Sequence, residues 1–496
     1  MRILLVYPEF PDTFWSFRHA LKFIRKKATS PPLGLLTIAA MLPDDWKVRL
    51  VDLNVSTLKG EDLEWADYVF ISAMVVQRES AKAVIDACKD AGVPVVAGGP
   101  LFLDEHERLP AIDHFVLNEA EITLPPFLED LQNGSPRRVY QTDQFAELSR
   151  TPVPRWDLVD FKNYATMNIQ LSRGCPYDCE FCNITVLLGR RPRIKSAGQI
   201  VAELDSLYAA GWRGDVFFVD DNFIGNKKLL KAEILPALIA WQGGKAGPTC
   251  STEVSINIAD DAELMQMMTA AGFTTVFVGI ETPDDSSLDE CHKTQNRGRD
   301  LIESVKRIQR AGLQVQGGFI VGFDHDTPSI FQRQIEFIQK SGIVAAMVGL
   351  LQAPHGTRLY QRLLGEGRIL ALTSGNNVDG STNMAPRMDI AVLRAGYRRI
   401  LETIYSPKLY YERVITFLQE YQPPRIALPL KFEYFLALWK SIYLLGMRGA
   451  ERVQYWKLWG WVLFHKPRLF PTAITLAIYG YHFRMISQQV CQTANR

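Results

Sequence analysis

Short apolar runs alternate with amphipathic segments over the first 133 residues of the chain. Each run has the length of a strand, and the segments between the runs have the apolar spacing of helices. Strands separated by helices indicate a parallel sheet that is covered on both faces and binds ligands beyond the carboxyl ends of its strands. We therefore predict a doubly wound, Rossmann-like α/β domain over residues 1–133, with strands at 2–7, 47–53, 68–72, 93–97 and 114–117.

The same alternation returns after a connector. Residues 134–166 contain several Pro and Gly residues and little periodicity, which is typical of a linker. Residues 167–387 contain six further strand-like runs separated by helical segments, which predict a (β/α)6 barrel or part of one. The predicted strands are 168–172, 215–219, 249–255, 275–280, 314–321 and 344–350.

Residues 388–496 contain no clear strand and are predicted to be helical. From residue 430 onward there are nine Lys and Arg residues against Glu433 and Glu451, and fourteen aromatic residues. Amphipathic helices of this composition lie in membrane interfaces, but an apolar stripe also packs a helical cap onto a barrel. Both interpretations stay open, as does a third, in which the segment roofs a cavity for an apolar substrate.

Composition limits the classes of protein that fit. Among 496 residues, 55 Lys and Arg balance 54 Asp and Glu, and a net charge of +1 gives no reason to expect a nucleic-acid partner. The start of the chain does not have the pattern of a signal peptide, and no run of about 18 apolar residues predicts a spanning helix. Seven cysteines, three of them within eight positions, do not form a disulfide framework. We therefore expect a cytoplasmic protein with reduced thiols.

The strongest chemical signal is the run Cys175-Pro-Tyr-Asp-Cys179-Glu-Phe-Cys182, which follows the first strand of the predicted barrel. Three thiolates in one loop can hold an iron–sulfur cluster, and because such clusters usually take four thiolates, one iron stays open to another ligand. The alternatives are unrelated thiols, or a zinc site that lacks its fourth ligand. The other cysteines are isolated in the sequence, which favours the cluster.

This cysteine spacing after a barrel strand resembles the radical S-adenosylmethionine (SAM) superfamily. The resemblance implies a [4Fe-4S] cluster held by Cys175, Cys179 and Cys182, with SAM bound to the open iron and cleaved to a 5′-deoxyadenosyl radical. It also implies that Phe181 flanks the adenine. The strand Gly317-Gly318-Phe-Ile-Val matches the glycine-rich strand that lets the cofactor approach the backbone closely.

Carboxylates follow three of the predicted barrel strands, where side chains point into the mouth of a barrel. Asp220 and Asp221 end the second strand, and a helix cap is the alternative role there. Glu253 closes the third strand, and Glu281 closes the fourth in a segment that resembles the Gly-Ile-Glu-Ser-Pro type of the superfamily. We expect Glu253 and Glu281 to contact the ribose hydroxyls or the amino group of SAM, with an internal salt bridge as the alternative.

A doubly wound domain before such a barrel resembles the cobalamin-binding subfamily. The matching segments are Ser30-Pro-Pro-Leu-Gly-Leu, the strand end at Ser72, and Gly98-Gly99-Pro100, where glycines let a corrin lie against the backbone. The sequence lacks a D-x-H-x-x-G motif, so we interpret His106 as a solvated loop residue. The same fold binds flavin, or nothing, in other proteins.

The expected function is therefore that of a cobalamin-dependent radical SAM methyltransferase acting on an unactivated carbon, because cofactors must supply a step that acid–base chemistry cannot. The overall pattern is most similar to hopanoid C-2 methylases, which implies an apolar or lipid substrate. We also expect an external electron donor of the flavodoxin or ferredoxin type and, if the carboxyl-terminal helices lie in a membrane interface, peripheral membrane contact. The alternatives are an oxidative cyclase or ring-rearranging enzyme, and a cobalamin- or cluster-binding sensor without turnover.

Overall fold

Two parallel β-sheets organise the first 350 residues of the structure, a computed structural model that describes residues 1–243, 248–376, 378–424 and 432–493. The first sheet has the strand order β2-β1-β3-β4-β5-β6, and all its pairs are parallel. Its strands are β1 Arg2–Tyr7, β2 Lys47–Asp52, β3 Tyr68–Ser72, β4 Val95–Gly98, β5 His114–Val116 and β6 Val139–Tyr140.

Helices cover both faces of this sheet. The inner strand β1 is therefore apolar from Ile3 to Val6, and these four residues are completely buried. The helices that cover it are Leu33–Ala39, Gly60–Trp65, Arg78–Asp90, Pro100–Glu105 and Ala120–Gln132, whereas the short helix Arg18–Leu21 packs against the last helix of the chain. The predicted doubly wound sheet is confirmed. Its sixth strand, β6, lies within the predicted linker, where a two-residue strand leaves no periodic signal.

The second sheet has six parallel strands in the order β14-β13-β12-β11-β10-β7, and the predicted partial barrel is confirmed. Two further strands, β8 and β9, pair with each other in antiparallel orientation. The strands are β7 Thr166–Ile169, β8 Ser172–Arg173, β9 Arg193–Ile194, β10 Asp215–Phe218, β11 Cys250–Val254, β12 Phe273–Glu281, β13 Gln314–Val321 and β14 Ala346–Leu350.

Helices lie between the barrel strands and pack against their outer faces. Most of them begin with a capping side chain, such as Asp261 for 262–270 and Asp300 for 301–310. They are Ile184–Leu188, Ala197–Ala209, Lys227–Leu229, Leu235–Gln242, Ala262–Ala270, Asp285–Glu290, Leu301–Arg310, Ser329–Ser341 and Arg358–Gly365, and a π-helix, Leu230–Ile234, joins the third to the fourth.

The six-stranded sheet leaves a gap in the barrel wall between its edge strands, β7 and β14. Segments from the amino-terminal and carboxyl-terminal ends of the protein close this gap. Thr166 N donates to Thr29 O at 2.7 Å, which fixes the amino-terminal segment along β7. Phe14 of that segment stacks on Phe483 of the last helix, with ring centroids 4.6 Å apart. The two ends of the chain therefore complete the wall that six strands leave open.

The carboxyl-terminal part is helical, as expected. Its helices are Ile390–Ile404, Pro407–Glu420, Phe432–Ser441, Arg452–His465 and Phe470–Thr493, with a π-helix at Ile442–Arg448. They pack onto the barrel: Tyr405 Oη donates to Ala346 O of β14 at 2.6 Å, and the buried Arg413 donates to Val344 O, just before β14, at 3.3 Å. None of the helices that the structure describes is apolar over a length that would cross a bilayer.

Candidate cofactor and substrate site

The three clustered cysteines lie on a loop that β8 and β9 close at its base. This loop leaves the carboxyl end of β7 and contains the short helix Ile184–Leu188. Burial raises the pKa of all three thiols, that of Cys182 to about 12. A thiol in this setting stays protonated until a metal replaces the proton.

The donor set of this loop suits an iron–sulfur cluster. Its three cysteines supply three thiolates, and thiolates are the ligands that such clusters take. In the ranges that the structure describes, no three His, Cys, Asp or Glu side chains are gathered closely enough to hold one metal ion.

Ion pairs fix the far side of the cysteine loop. Arg362 Nε donates to Glu180 Oε1 at 2.7 Å, and Leu359 N donates to Glu180 O at 3.0 Å. Arg358 pairs with Asp178. Arg362 also binds Asp324, at 2.9 Å. The acidic residues inside the cysteine motif thus tie the loop to the helix that follows β14, a role that their place in the sequence does not reveal.

Four buried charges join the cysteine loop to the amino-terminal sheet. Arg173 and Arg193 face each other across β8 and β9, where two like charges would repel. Glu119 accepts from Arg193 Nη2 at 2.6 Å and from Arg173 Nη1 at 2.8 Å, and Glu121 accepts from Arg173 Nη2 at 2.8 Å. Although burial raises the pKa of Glu121, Arg173 lowers it to about 2. We call these four residues the interdomain clamp.

Asp220 braces the start of the loop and does not face the cavity. Its carboxylate accepts from Leu171 N at 3.0 Å and from Ser172 Oγ at 2.5 Å. Burial raises its pKa to about 7. A helix cap was the alternative role at this strand end, but Asn222 occupies the cap position. The side chain of Asn222 accepts a hydrogen bond from Ser255 N.

Asp221 and Glu253 do line the cavity. Burial raises the pKa of Asp221 to about 6 and that of Glu253 to about 8. Within the described residues, neither carboxylate accepts a hydrogen bond from another residue or pairs with a cation. Two buried carboxylates without partners need a ligand that offers N–H, O–H or positive charge. SAM carries an amino group and ribose hydroxyls, so these two residues fit it.

Glu281 forms the internal salt bridge that was the alternative to a SAM contact. Lys293 Nζ donates to Glu281 Oε1 at 2.6 Å, and both side chains are buried. Although burial lowers the pKa of Lys293, Glu281 and then Cys179 raise it above its usual range. The backbone of Glu281 is left-handed, with φ 64°, which turns the chain at the end of β12.

The remaining barrel residues are placed by packing. Phe181 lies against Phe323, with ring centroids 6.4 Å apart. A Cβ on Gly318 would lie 2.9 Å from the Phe277 ring, and one on Gly317 would lie 2.9 Å from the Phe319 ring. Neighbouring side chains thus account for these two glycines, and neither glycine lines the cavity.

The cavity extends from the first sheet into the barrel and to the carboxyl-terminal helices. Its volume is about 2030 Å³, whereas pockets for a single small ligand have roughly 300–1,000 Å³. Ser72, Gly98 and Gly99 line it at the carboxyl ends of β3 and β4. A Cβ on Gly98 would lie 2.7 Å from Val116 O, and Gly99 has φ 95°, so both positions need glycine. These residues form a glycine floor, where no bulky side chain borders the cavity, and the volume of the cavity fits a corrin.

No histidine in the described part of the chain lines this cavity. His106 Nδ1 lies 3.2 Å from Leu103 O, away from the cavity. His355, at the end of β14, pairs with Asp104 of the amino-terminal domain at 3.3 Å. The interpretation of His106 as a solvated loop residue is wrong, because His106 is half-buried at the start of a short 3-10 helix and its ring lies against that of Phe115, with centroids 5.7 Å apart. The aromatic residues that the amino terminus contributes to the cavity, such as Trp15, were not anticipated.

Three families match consecutive parts of the chain. The B12 binding domain matches residues 24–128, the Radical SAM superfamily matches 169–338, and a domain of unknown function, DUF4070, matches 357–496. An uncharacterized methyltransferase of Synechocystis sp. is 38% identical over 99% of this chain and 93% of its own length. The hopanoid C-2 methylase of Rhodopseudomonas palustris is 34% identical over 92% of this chain and 88% of its own length.

A solved structure shares the whole architecture. The radical SAM methyltransferase TsrM from Kitasatospora setae, with cobalamin and a [4Fe-4S] cluster bound, aligns over 99% of both chains with a TM-score of 0.59 and 16% identity, which shows a common fold. The chain therefore belongs to the cobalamin-binding radical SAM enzymes. Within that family it is a methyltransferase, and its cofactors are a [4Fe-4S] cluster, SAM and cobalamin.

Proposed function

We propose that this enzyme transfers a methyl group to an unactivated carbon of an apolar, lipid-like substrate. The observation that carries the proposal is the single cavity of about 2030 Å³, which joins the glycine floor of the first sheet to the unpaired carboxylates of the barrel. A space of this size accommodates a cofactor and a large substrate together. Its walls include Trp15, Phe277 and Ile478, which suit a hydrocarbon skeleton.

Each residue set has one task in this proposal. Cys175, Cys179 and Cys182 would hold the cluster. Glu253 and Asp221 would accept hydrogen bonds from the amino group and ribose hydroxyls of SAM. Ser72, Gly98 and Gly99 would lie against the corrin. When bound, these cofactors supply hydrogen abstraction from carbon and a transferable methyl group. The chain itself orients the reactants and excludes water from the cavity.

An external one-electron donor, of the flavodoxin or ferredoxin type, is part of the proposal because amino-acid side chains do not supply the electron that radical SAM chemistry needs. The reconstituted enzyme should therefore turn over with either donor, or with a chemical reductant.

A peripheral contact with membranes is also part of the proposal. Phe464 is 88% exposed, Trp439 is 69% exposed and Met447 is 64% exposed, all on the helical segment 432–465. Exposed basic residues Arg448, Arg452, Lys457 and Arg468 accompany them, whereas Glu451 is buried against Arg484. Aromatic and basic side chains together favour an anionic membrane surface.

Liposome sedimentation tests this contact. The protein should sediment with phosphatidylglycerol vesicles at low salt, and less with phosphatidylcholine vesicles or at high salt. Phe464→Ser should weaken sedimentation, whereas Leu370→Ser, which changes a large apolar side chain that is 68% exposed outside this segment, should not. Sedimentation that is absent at low salt would contradict membrane contact.

Anaerobic product analysis tests the methyl transfer. The enzyme, reconstituted with iron, sulfide and cobalamin, is incubated with SAM, a reductant and a lipid extract. 5′-Deoxyadenosine together with S-adenosylhomocysteine supports methyl transfer, whereas 5′-deoxyadenosine alone would indicate cyclisation or rearrangement. Cys175→Ser should lose cluster iron and both products, and Cys491→Ser, outside the cysteine loop, should keep them. An intact cluster that yields neither product with any lipid would favour the sensor interpretation.

A further inference from the structure

The amino-terminal end of the barrel forms a polar floor beneath the apolar walls of the cavity. Asp215 opens β10 and aligns with Thr166, the first residue of β7. Gln314 opens β13. All three line the cavity, together with Thr249 and Ser251. The next inward-facing residues after Asp215 toward the carboxyl end of the barrel are the apolar Phe217 and Val219. Val219 is about 13 Å from Asp215 along the strand.

Asp215 is the centre of this floor. Thr249 Oγ1 and Ser251 Oγ each donate to its carboxylate at 2.8 Å. Burial raises its pKa, and no Lys, Arg or His pairs with it in the described residues. Two hydroxyl donors leave further acceptor positions on a carboxylate unused. The floor therefore has an acidic hydrogen-bond acceptor that the protein itself does not satisfy.

Other polar groups of the floor also lack partners. Asn168 Oδ1 is buried with no hydrogen bond. The side chains of Gln314, Gln316 and Thr275 line the cavity and make no hydrogen bond within the described residues. These groups include donors as well as acceptors. A hydroxyl both donates and accepts, so it satisfies such a set, whereas an ammonium group only donates.

We infer that the polar floor around Asp215 is a subsite for a hydroxyl-bearing end of the substrate, whose apolar skeleton lies along the barrel wall with the reacting carbon toward the cysteine loop. This inference rests on the proposed function, because it takes the occupant of the barrel to be the methyl acceptor. It makes the substrate an amphiphile with one hydroxylated end, and it assigns that end to Asp215, Ser251 and their unpaired amide neighbours.

Equilibrium binding to the reconstituted holoenzyme tests the subsite. The probes are a pentacyclic triterpene hydrocarbon, the same skeleton with a hydroxylated side chain, and the same skeleton with an amino group in place of the hydroxyl. We expect the wild type to bind the hydroxylated probe roughly tenfold or more tightly than the hydrocarbon, as hydrogen bonds to a charged acceptor allow. Ser251→Ala and Asp215→Ala should reduce that preference, each with an unchanged affinity for the hydrocarbon.

Two further variants keep the test decisive. Thr472→Val removes a hydroxyl from the cavity wall on the last helix, and it should keep the preference. Asp215→Asn keeps an acceptor without the charge, so it should keep part of the preference for the hydroxyl. If the wild type binds the amino probe more tightly than the hydroxylated probe, and Asp215→Asn abolishes that difference, the hydroxyl assignment is overturned in favour of an ammonium group.

The remaining outcomes separate this inference from the proposed function. Equal binding of the hydrocarbon and the hydroxylated probe by the wild type overturns the subsite alone. A preference that persists in both Ser251→Ala and Asp215→Ala does the same. Binding of none of the three skeletons contradicts the apolar substrate class of the proposed function and the subsite with it.

Discussion

Substitution of Glu119 tests whether ion pairs hold the cysteine loop against the amino-terminal sheet. Glu119 accepts from Arg173 at 2.8 Å and from both terminal nitrogens of Arg193 at 2.8 and 2.6 Å, and its side chain is only 4% exposed. In Glu119→Gln, two buried guanidinium groups face the single charge of Glu121. Removing one partner of a buried ion pair costs about 3–5 kcal/mol, because the remaining charge stays out of water without compensation.

The cost falls on the contact between the domains, so it should appear as local opening of β8 and β9. At the usual conversion, 3–5 kcal/mol corresponds to roughly a hundred- to several-thousandfold faster amide exchange. Hydrogen exchange of the anaerobically purified protein, followed by mass spectrometry, measures this effect, with β1 and β3 as internal references. Glu129→Gln is the matched control, because Glu129 is exposed and forms no ion pair within the described residues.

An exchange rate in β8 and β9 within about threefold of wild type would refute the clamp as a stabilising contact, since that is less than 1 kcal/mol. The double variant Glu119→Gln with Arg193→Gln gives a second check. It removes one of the two uncompensated cations, so the loss should be smaller than the sum of the single losses. Strictly additive losses would show that the two side chains do not interact.

Four further predictions concern the barrel. Arg362→Met should speed the loss of cluster absorbance during anaerobic dialysis, because the buried Glu180 loses its cation and Asp324 keeps only its other Arg partners. The exposed Arg394→Met should not have this effect. Glu253→Gln should weaken SAM binding at least tenfold in equilibrium dialysis without lowering the stability of the protein. An unchanged affinity for SAM would show that Glu253 does not contact SAM. Glu281→Gln should lower the urea midpoint, because Lys293 stays buried and unpaired. Asp324→Asn should lower the free energy of unfolding at neutral pH. Although burial raises the pKa of Asp324, its Arg partners lower that pKa to about 2, so the charged carboxylate stabilises the fold above pH 4. In urea titrations, the difference in stability from wild type should therefore shrink as the pH falls toward 2.

The sequence predicts the frame of this site but not all of its contacts. Strands of a parallel sheet have a strong apolar signal, so six barrel strands and five strands of the first sheet could be located from the sequence. Because ligands bind at the carboxyl ends of such strands, Ser72, Gly98 and Glu253 could be predicted to line a ligand site, and all three line the cavity. The direction of a carboxylate at a strand end is decided by its neighbours in space. The carboxylate of Asp220 turns toward Leu171 and Ser172, and the spacing of residues along the chain does not predict this direction.

The interdomain clamp shows a further reason for this limit. Glu119 and Glu121 open the last helix of the first domain, and Arg173 lies more than fifty residues later, beside the first cysteine of the loop. Each charge by itself has the sequence pattern of a solvated surface residue. Their partnership exists only because the two domains meet, and burial then makes it strong enough to fix the loop. Since Arg362 and Arg358 fix the other side, charges hold the cysteine loop from two directions, in addition to the packing of Phe181 on its apolar neighbours. Such a loop keeps its place relative to the glycine floor before any cofactor binds, and that preorganisation is what a reaction between two cofactors requires.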